Sequence, residues 1–307
     1  MSGLHVLWIA PDFLPRASGY AMAAANAVEA LGARFPTLRV TVACPQWGDH
    51  VEDEDISPTL RVARFAPRLI VPVYLRAGLA GARAASLLQR RWIRRELPRL
   101  AGQEGVDLVF AESLEVGPLA QEASRRLRRP LIARVHGAQA TEHAVFRSET
   151  SFRVLYHTAL STLRSATVIA ATTSAYLEFV RSHYFHEQYE EVFRHDYLVL
   201  PNIVRVPSVD AERDRTSRRR ELECAEGEFV FFQLGRMSRE GLWQKGFDDT
   251  LRALSIAVRA ESKLMERVRL WLVGDGEQRS ALERFVAALG LTAHVKFLGP
   301  LDHPTTL

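Results

Sequence analysis

Strand-like and helix-like stretches alternate through the first two hundred residues, and this rhythm leaves few folds open. The strand-like runs are Leu4 to Ala10, Leu38 to Cys44, Leu60 to Phe65, Asp107 to Ala111, Pro130 to Val135, Thr167 to Ala171 and Tyr197 to Leu200. Several are almost continuously apolar, the pattern of strands covered on both faces. Helix-forming stretches lie between them: the Ala- and Leu-rich residues 20–35, then Gly117 to Leu127, Thr141 to Ala166, and Ala175 to Tyr184 behind the capping residues Thr172, Thr173 and Ser174. The acidic stretch holding Asp49, Glu52, Asp53, Glu54 and Asp55 reads as a loop. Repeated βα units predict an α/β fold with a parallel, doubly wound sheet.

The rhythm breaks at Val206 to Gly227, where charged residues dominate, including Asp210 to Arg215 and Arg218 to Arg220. That stretch is read as a connection plus a short helix, dividing the chain into domains 1–205 and 206–307. Alternation then restarts with strand 229–234, helix 246–260, strand 268–273, the turn Gly274-Asp275-Gly276, helix 277–289 and strand 294–298. The second domain therefore shows three strands, half of a doubly wound sheet.

Composition narrows the class further. With 47% apolar and 25% charged residues, the 307-residue chain can bury a core in each domain. It contains no apolar run long enough to span a bilayer. The N-terminus enters the run HVLWIA directly, which reads as an unprocessed, cytoplasmic chain. Cys44 and Cys224 stand far apart and outside any metal-ligand or redox spacing, so reduced thiols and no metal site are expected. The formal charge of +4 comes from arginine, since Lys245, Lys263 and Lys296 are the only lysines. No nucleic-acid-binding signature accompanies it, and nucleic acid is not an expected partner.

The chemistry-bearing residues sit where strands end. Strand 229–234 runs into Gly235 and Arg236, and Lys245-Gly246 opens the following helix. In an open parallel sheet the carboxyl ends of the strands face the ligand crevice, so two permanent cations there suit a diphosphate. Strand 130–135 ends in His136 and Gly137, a placement for polar contact with a substrate. Gly19 precedes the first helix, whose free amides and dipole can hold an anion. Each feature also has a structural reading: a polar loop, a core histidine, an ordinary turn.

Arg61 to Arg99 has the most unusual composition, ten arginines against the single acid Glu96. Leu88, Trp92, Ile93, Leu97 and Leu100 can share one helical stripe, with Arg90, Arg91, Arg94 and Arg95 in i, i+4 pairs. Two readings stand: a helix packed on the sheet with a solvated basic face, or a peripheral contact with an anionic membrane surface.

The segments APDFLPRASGY, RVHG, LPNIV, LGRMSREGLWQKGFDDTLRA, LVGDGEQRSALE and VKFLGPL, in this order, resemble those of the retaining GT-B glycosyltransferases of family four, the group 1 glycosyltransferases. The resemblance covers nearly the whole chain. It implies two Rossmann-like domains facing a cleft, a nucleotide-sugar donor held mainly by the second, and a sugar, lipid-linked or small-molecule acceptor held mainly by the first. It implies that His136 is the active-site histidine, that Gly19 lies near the donor phosphates, that Arg236 and Lys245 bind the diphosphate, and that Gly274 and Gly276 turn beside the nucleotide. No cofactor is implied, because the nucleotide sugar is a substrate.

Three departures accompany it. Ser18-Gly19 replaces the family's paired glycines, Ile203 follows Pro201-Asn202 where glycine is frequent, and the chain ends at Leu307 before the Glu-rich segment that completes the family's donor site. The expectation is a truncated second domain with one side of the donor site missing. The alternative from another class is a noncatalytic GT-B-like binding or scaffold protein at a membrane surface.

Overall fold

The computed structural model describes residues 3–14, 18–46, 53–65, 78–102, 105–136, 150–184, 195–204, 211–238 and 245–300. The chain divides into two compact units, Met1–Arg205 and Val206–Leu307.

The first unit is built on β1 (His5–Ile9), β2 (Arg39–Pro45), β3 (Glu54–Ser57), β4 (Leu60–Phe65), β5 (Leu108–Ala111), β6 (Leu131–Val135), β7 (Val168–Ala171) and β8 (Asp196–Val199). They form one sheet in the order β3-β4-β2-β1-β5-β6-β7-β8. All neighbours are parallel except β3 and β4, which pair antiparallel. Strand β3 corrects the expected loop. Its residues are exposed, and its place is held from beside it: the Asp53 carboxylate accepts from the Arg64 amide (2.9 Å) and from the Arg61 guanidinium (3.3 Å). An edge hairpin of this kind carries charge rather than apolar alternation, so its sequence does not read as a strand.

Helices α1 (Gly19–Arg34), α2 (Gly78–Ala101), α3 (Gly117–Leu127), α4 (Thr150–Ser165) and α5 (Ser174–Tyr184) connect the strands. Alternate residues of β1 enter two cores. Leu7 and Ile9 join Ile93, Leu97, Leu100, Leu119 and Leu163 from α2, α3 and α4, whereas Val6 and Trp8 join Ala24, Ala27 and Val28 from α1. Both faces of β1 are thus buried, which explains its unbroken apolar run. Small residues on the buried side of α1, Ala21, Ala23, Ala24 and Ala27, let it lie close to the sheet. The part of the expected 141–166 helix before Thr150 falls outside the described residues.

The second unit holds α6 (Ala211–Glu221), β9 (Phe229–Leu234), α7 (Phe247–Ala260), the single turn α8 (Ser262–Met265), β10 (Val268–Val273), α9 (Arg279–Ala288) and β11 (Val295–Gly299). Its described strands form a three-stranded parallel sheet in the order β11-β10-β9. Val268, Leu270 and Leu272 of β10 pack against Phe247, Leu251 and Leu254 of α7 and Leu282 and Val286 of α9. Strand β9 lies at one side of the sheet, with Phe229, Phe231, Phe232 and Leu234 all exposed.

Candidate functional site

In the first unit, a polar cluster forms where β5 and β6 end. Glu112 follows β5 and His136 follows β6, so parallel pairing of the two strands carries both residues to the carboxyl end of the sheet. The Glu112 side chain is fully buried, and its Oε1 lies 2.6 Å from Nε2 of His136 and 3.0 Å from Nη1 of Arg134. The His136 side chain is 9% exposed. A carboxylate only accepts, so this contact is a hydrogen bond when Nε2 carries the hydrogen.

Arg134 lies within β6 with a side chain 1% exposed. Its Nη2 donates to the carbonyls of Leu200 (3.0 Å) and Pro201 (3.2 Å) and to Oδ1 of Asn202 (2.9 Å). Burial draws the guanidinium down from its ordinary value, and the Glu112 charge opposes that. Among the described residues Oε2 of Glu112 and Nε of Arg134 have no hydrogen-bond partner. Tyr20, one residue after Gly19, meets His136 edge-on with ring centroids 5.3 Å apart.

Tyr20 ties the start of α1 to this cluster. Ser18 caps that helix, its Oγ accepting from the Ala21 amide at 3.1 Å. A Cβ placed on Gly19 would meet nothing within 4 Å, so the space above it is open. Asn26 of α1 donates to the Ile203 carbonyl at 3.0 Å, fixing the helix to the stretch beyond β8. Gly19 and His136 therefore converge, whereas Gly137 lies outside the described residues.

The second unit gathers its expected residues where β9 and β10 end. Gly235 continues β9 and bonds to the Val273 carbonyl at 3.0 Å; Arg236 follows with its side chain exposed. The Lys245 carbonyl accepts from Gln233 Nε2 at 2.7 Å, and a Cβ on Gly235 would crowd the Lys245 side chain and the Phe247 ring. The Lys245 stem thus crosses Gly235, the residue before Arg236. Gly246 opens α7 at φ 64, in the left-handed region that glycine favours.

Glycine is required twice more in the facing turn. Gly274, at φ 121, lies so close to the Gly235 carbonyl that a Cβ would collide with it, and a Cβ on Gly276, at φ 155, would collide with the Met237 carbonyl. The bonds that hold the two exits together run from the Met237 amide to the Asp275 carbonyl and from the Gln278 amide to the Met237 carbonyl, each at 2.9 Å. The structure therefore brings Arg236, Lys245, Gly274 and Gly276 to one end of one sheet. The glycine turn also has a purely architectural reason to exist, the close seating of two backbones.

Of the basic segment, Arg61 and Arg64 lie on β4 and residues 78–99 on α2. Ile93, Leu97 and Leu100 are in the core, and Trp92 packs on Phe65 with ring centroids 4.6 Å apart, so most of the apolar stripe faces the sheet. Leu88 is exposed. Arg90 donates to Gln121 and Arg94 to Glu122 of α3, while Arg99 pairs with Glu96 and with Asp53. Arg91 and Arg95 remain on the exposed side. No helix among the described residues is long and apolar enough to cross a membrane.

Glu112, Arg134 and Tyr20 were not among the expected site residues. One signal pointed to the first two: a single acid and a single base, each at or near the end of a strand that otherwise reads as buried. Their 22-residue separation hides the pairing until β5 and β6 are placed side by side.

The fold is that of the two-domain GT-B glycosyltransferases. The structure superposes on Anabaena HepE in complex with UDP with a TM-score of 0.58 and 21% identity, over 99% of this chain and 71% of that one. It superposes on sucrose-phosphate synthase from Thermosynechococcus elongatus with a TM-score of 0.70 and 14% identity, over 98% of this chain and 71% of that one.

In sequence, residues 228–307 match the family model described as Glycosyl transferases group 1. A curated relative, the lipopolysaccharide core biosynthesis glycosyltransferase LpsD of Rhizobium meliloti (strain 1021), is 36% identical over 81 residues, 26% of this chain. The match spans a fifth of the length of that relative.

Proposed function

We propose that the chain is a glycosyltransferase polypeptide of the group 1 type that takes a nucleoside-diphosphate sugar as donor and transfers the sugar with retention of configuration. The observation that carries the reading is the second unit's strand-end cluster, in which Lys245 crosses Gly235 beside Arg236 and the Gly235 backbone meets Gly274. It lies wholly within the stretch that matches the family model. HepE is described in complex with UDP, which agrees with a uridine diphosphate sugar as the first donor to try.

The chemistry fits without a metal. As the glycosidic bond to the donor breaks, negative charge grows on the leaving diphosphate, and fixed cations stabilise it. Arg236 offers a planar set of donors and Lys245 a point charge on a flexible stem. In the first unit, His136 and the open space over Gly19 are the contribution to the sugar and the incoming hydroxyl, which belongs to a sugar, lipid-linked or small-molecule acceptor.

Calorimetric titration with UDP and with uridine tests the donor grip. Binding of UDP, none of uridine, and a loss of about 10- to 100-fold in affinity in Arg236→Ala and Lys245→Ala are expected, since hydrogen bonds to charged groups contribute about 1.5–3 kcal/mol each. UDP binding that is indifferent to both substitutions removes the assignment. Product analysis by NMR then reads the anomeric outcome.

A further inference from the structure

We propose that Glu112 is a positioning residue: its carboxylate, held by the buried Arg134, keeps His136 in the Nε2–H tautomer and leaves Nδ1 as an acceptor for a substrate hydroxyl. Three observations carry this. One carboxylate oxygen serves both Nε2 of His136 and Nη1 of Arg134, at 2.6 and 3.0 Å. Arg134 is itself fixed by three acceptors from residues 200–202, so the carboxylate it holds has little freedom to swing. The Tyr20 ring stands at 85° to the imidazole and restrains its plane from another direction.

Orientation is what this arrangement supplies. A neutral imidazole can offer either nitrogen as donor, and an unrestrained ring divides its time between two tautomers and two flips. With Nε2–H committed to a buried carboxylate, a single acceptor lone pair remains, on Nδ1. That lone pair matches a sugar hydroxyl donating its proton into a hydrogen bond. Fixing a catalytic group before the substrate arrives removes an ordering cost from the reaction. Arg134 holds the buried carboxylate in place and is not required to touch the substrate.

The consequence for turnover rests on the glycosyltransferase reading, but the tautomer does not. Long-range proton–nitrogen NMR of the 15N-histidine-labelled full chain reads it directly, with His136→Gln identifying the resonance among the ten histidines. The proton is expected on Nε2 in the wild-type chain. In Glu112→Leu, which keeps bulk and removes the acceptor, a mixture of tautomers is expected. There kcat should fall by about 10- to 100-fold while donor KM stays within about twofold, the pattern of a lost orienting partner. Glu112→Gln retains an acceptor oxygen and should lose less than Glu112→Leu.

A wild-type proton on Nδ1 overturns the proposal, as does an unchanged tautomer in a folded Glu112→Leu chain. If Glu112→Leu does not fold, the wild-type spectrum decides alone. Absence of transfer with every donor, alongside the Nε2–H tautomer, sinks the functional reading and leaves the positioning claim standing.

Discussion

Glu112 and Arg134 meet in the interior of the first unit, Oε1 to Nη1 at 3.0 Å, with side chains 0% and 1% exposed. Such a pair adds little over a well-packed apolar pair, but removing one partner strands a buried charge. Arg134→Met leaves the Glu112 carboxylate with only His136 and should destabilise the first unit by about 3–5 kcal/mol. Urea titration followed by tryptophan fluorescence measures this. A loss below about 1 kcal/mol means that water reaches the pair.

The two kinds of glycine here should respond in opposite ways to alanine. Gly274→Ala forces a Cβ into the Gly235 carbonyl at φ 121, and a loss of about 2 kcal/mol or more is expected from overlap and backbone strain. Gly19→Ala adds a methyl to open space in the first turn of a helix, so the melting temperature should hardly move. If a ligand uses that space, Gly19→Ala weakens its binding in a fully stable protein. Thermal melts paired with ligand titrations separate the two effects.

Glu122 on α3 has a buried side chain and accepts from Arg94 (2.6 Å), Arg125 (2.7 Å) and Arg126 (3.0 Å). Burial pushes its carboxyl up, but the three guanidinium hydrogen bonds more than reverse this and hold it at about 2, against an ordinary 4.5. A depressed carboxylate stabilises the fold above its unfolded value and loses that contribution as pH falls through its folded value. The contribution should therefore be intact above about pH 4.5 and vanish towards pH 2. With the arginines half exposed, it amounts to on the order of 1–3 kcal/mol. Glu122→Gln should lower stability at pH 7 and make no difference near pH 2, as judged by denaturant midpoints.

The two thiols should differ in reactivity. Burial raises Cys44 to about 12, and the nearby Arg64 offsets only part of that. Cys224 is half-buried and raised for the same first reason. At pH 8 an aromatic disulfide reagent should modify at most Cys224 in the native protein, slowly, and Cys44 only after denaturation. Rapid native modification of both would show that the β2 region opens readily.

How much of this was legible before any coordinates depended on where the information was local. The apolar runs of β1, β5, β6 and β10 announce buried parallel strands because both faces are covered. Gly235-Arg236 and Lys245 stand only nine residues apart, and the fold that joins them is a single βα unit. Strand β3 escaped because Asp53 and the hairpin partners Arg61 and Arg64 hold it, rather than any apolar alternation. The Glu112–Arg134–His136 cluster escaped because its members become neighbours only through strand pairing. The stripe on α2 read as membrane-facing or core-facing, and the burial of Ile93, Leu97 and Leu100 with Trp92 packed on Phe65 shows that most of it faces inward.

The guanidinium of Arg134 has a consequence for how the first unit loosens. Its three bonds run to residues 200–202, just past the last strand, so that stretch is fastened to the core by charge as well as by the sheet. Peeling it away would leave the arginine facing an apolar layer with only Glu112 to answer it. Local fraying, usual near the end of an edge strand, is thereby tied to the cooperative opening of the interior. The stretch that leads out of the first unit is thus expected to loosen together with the interior rather than ahead of it.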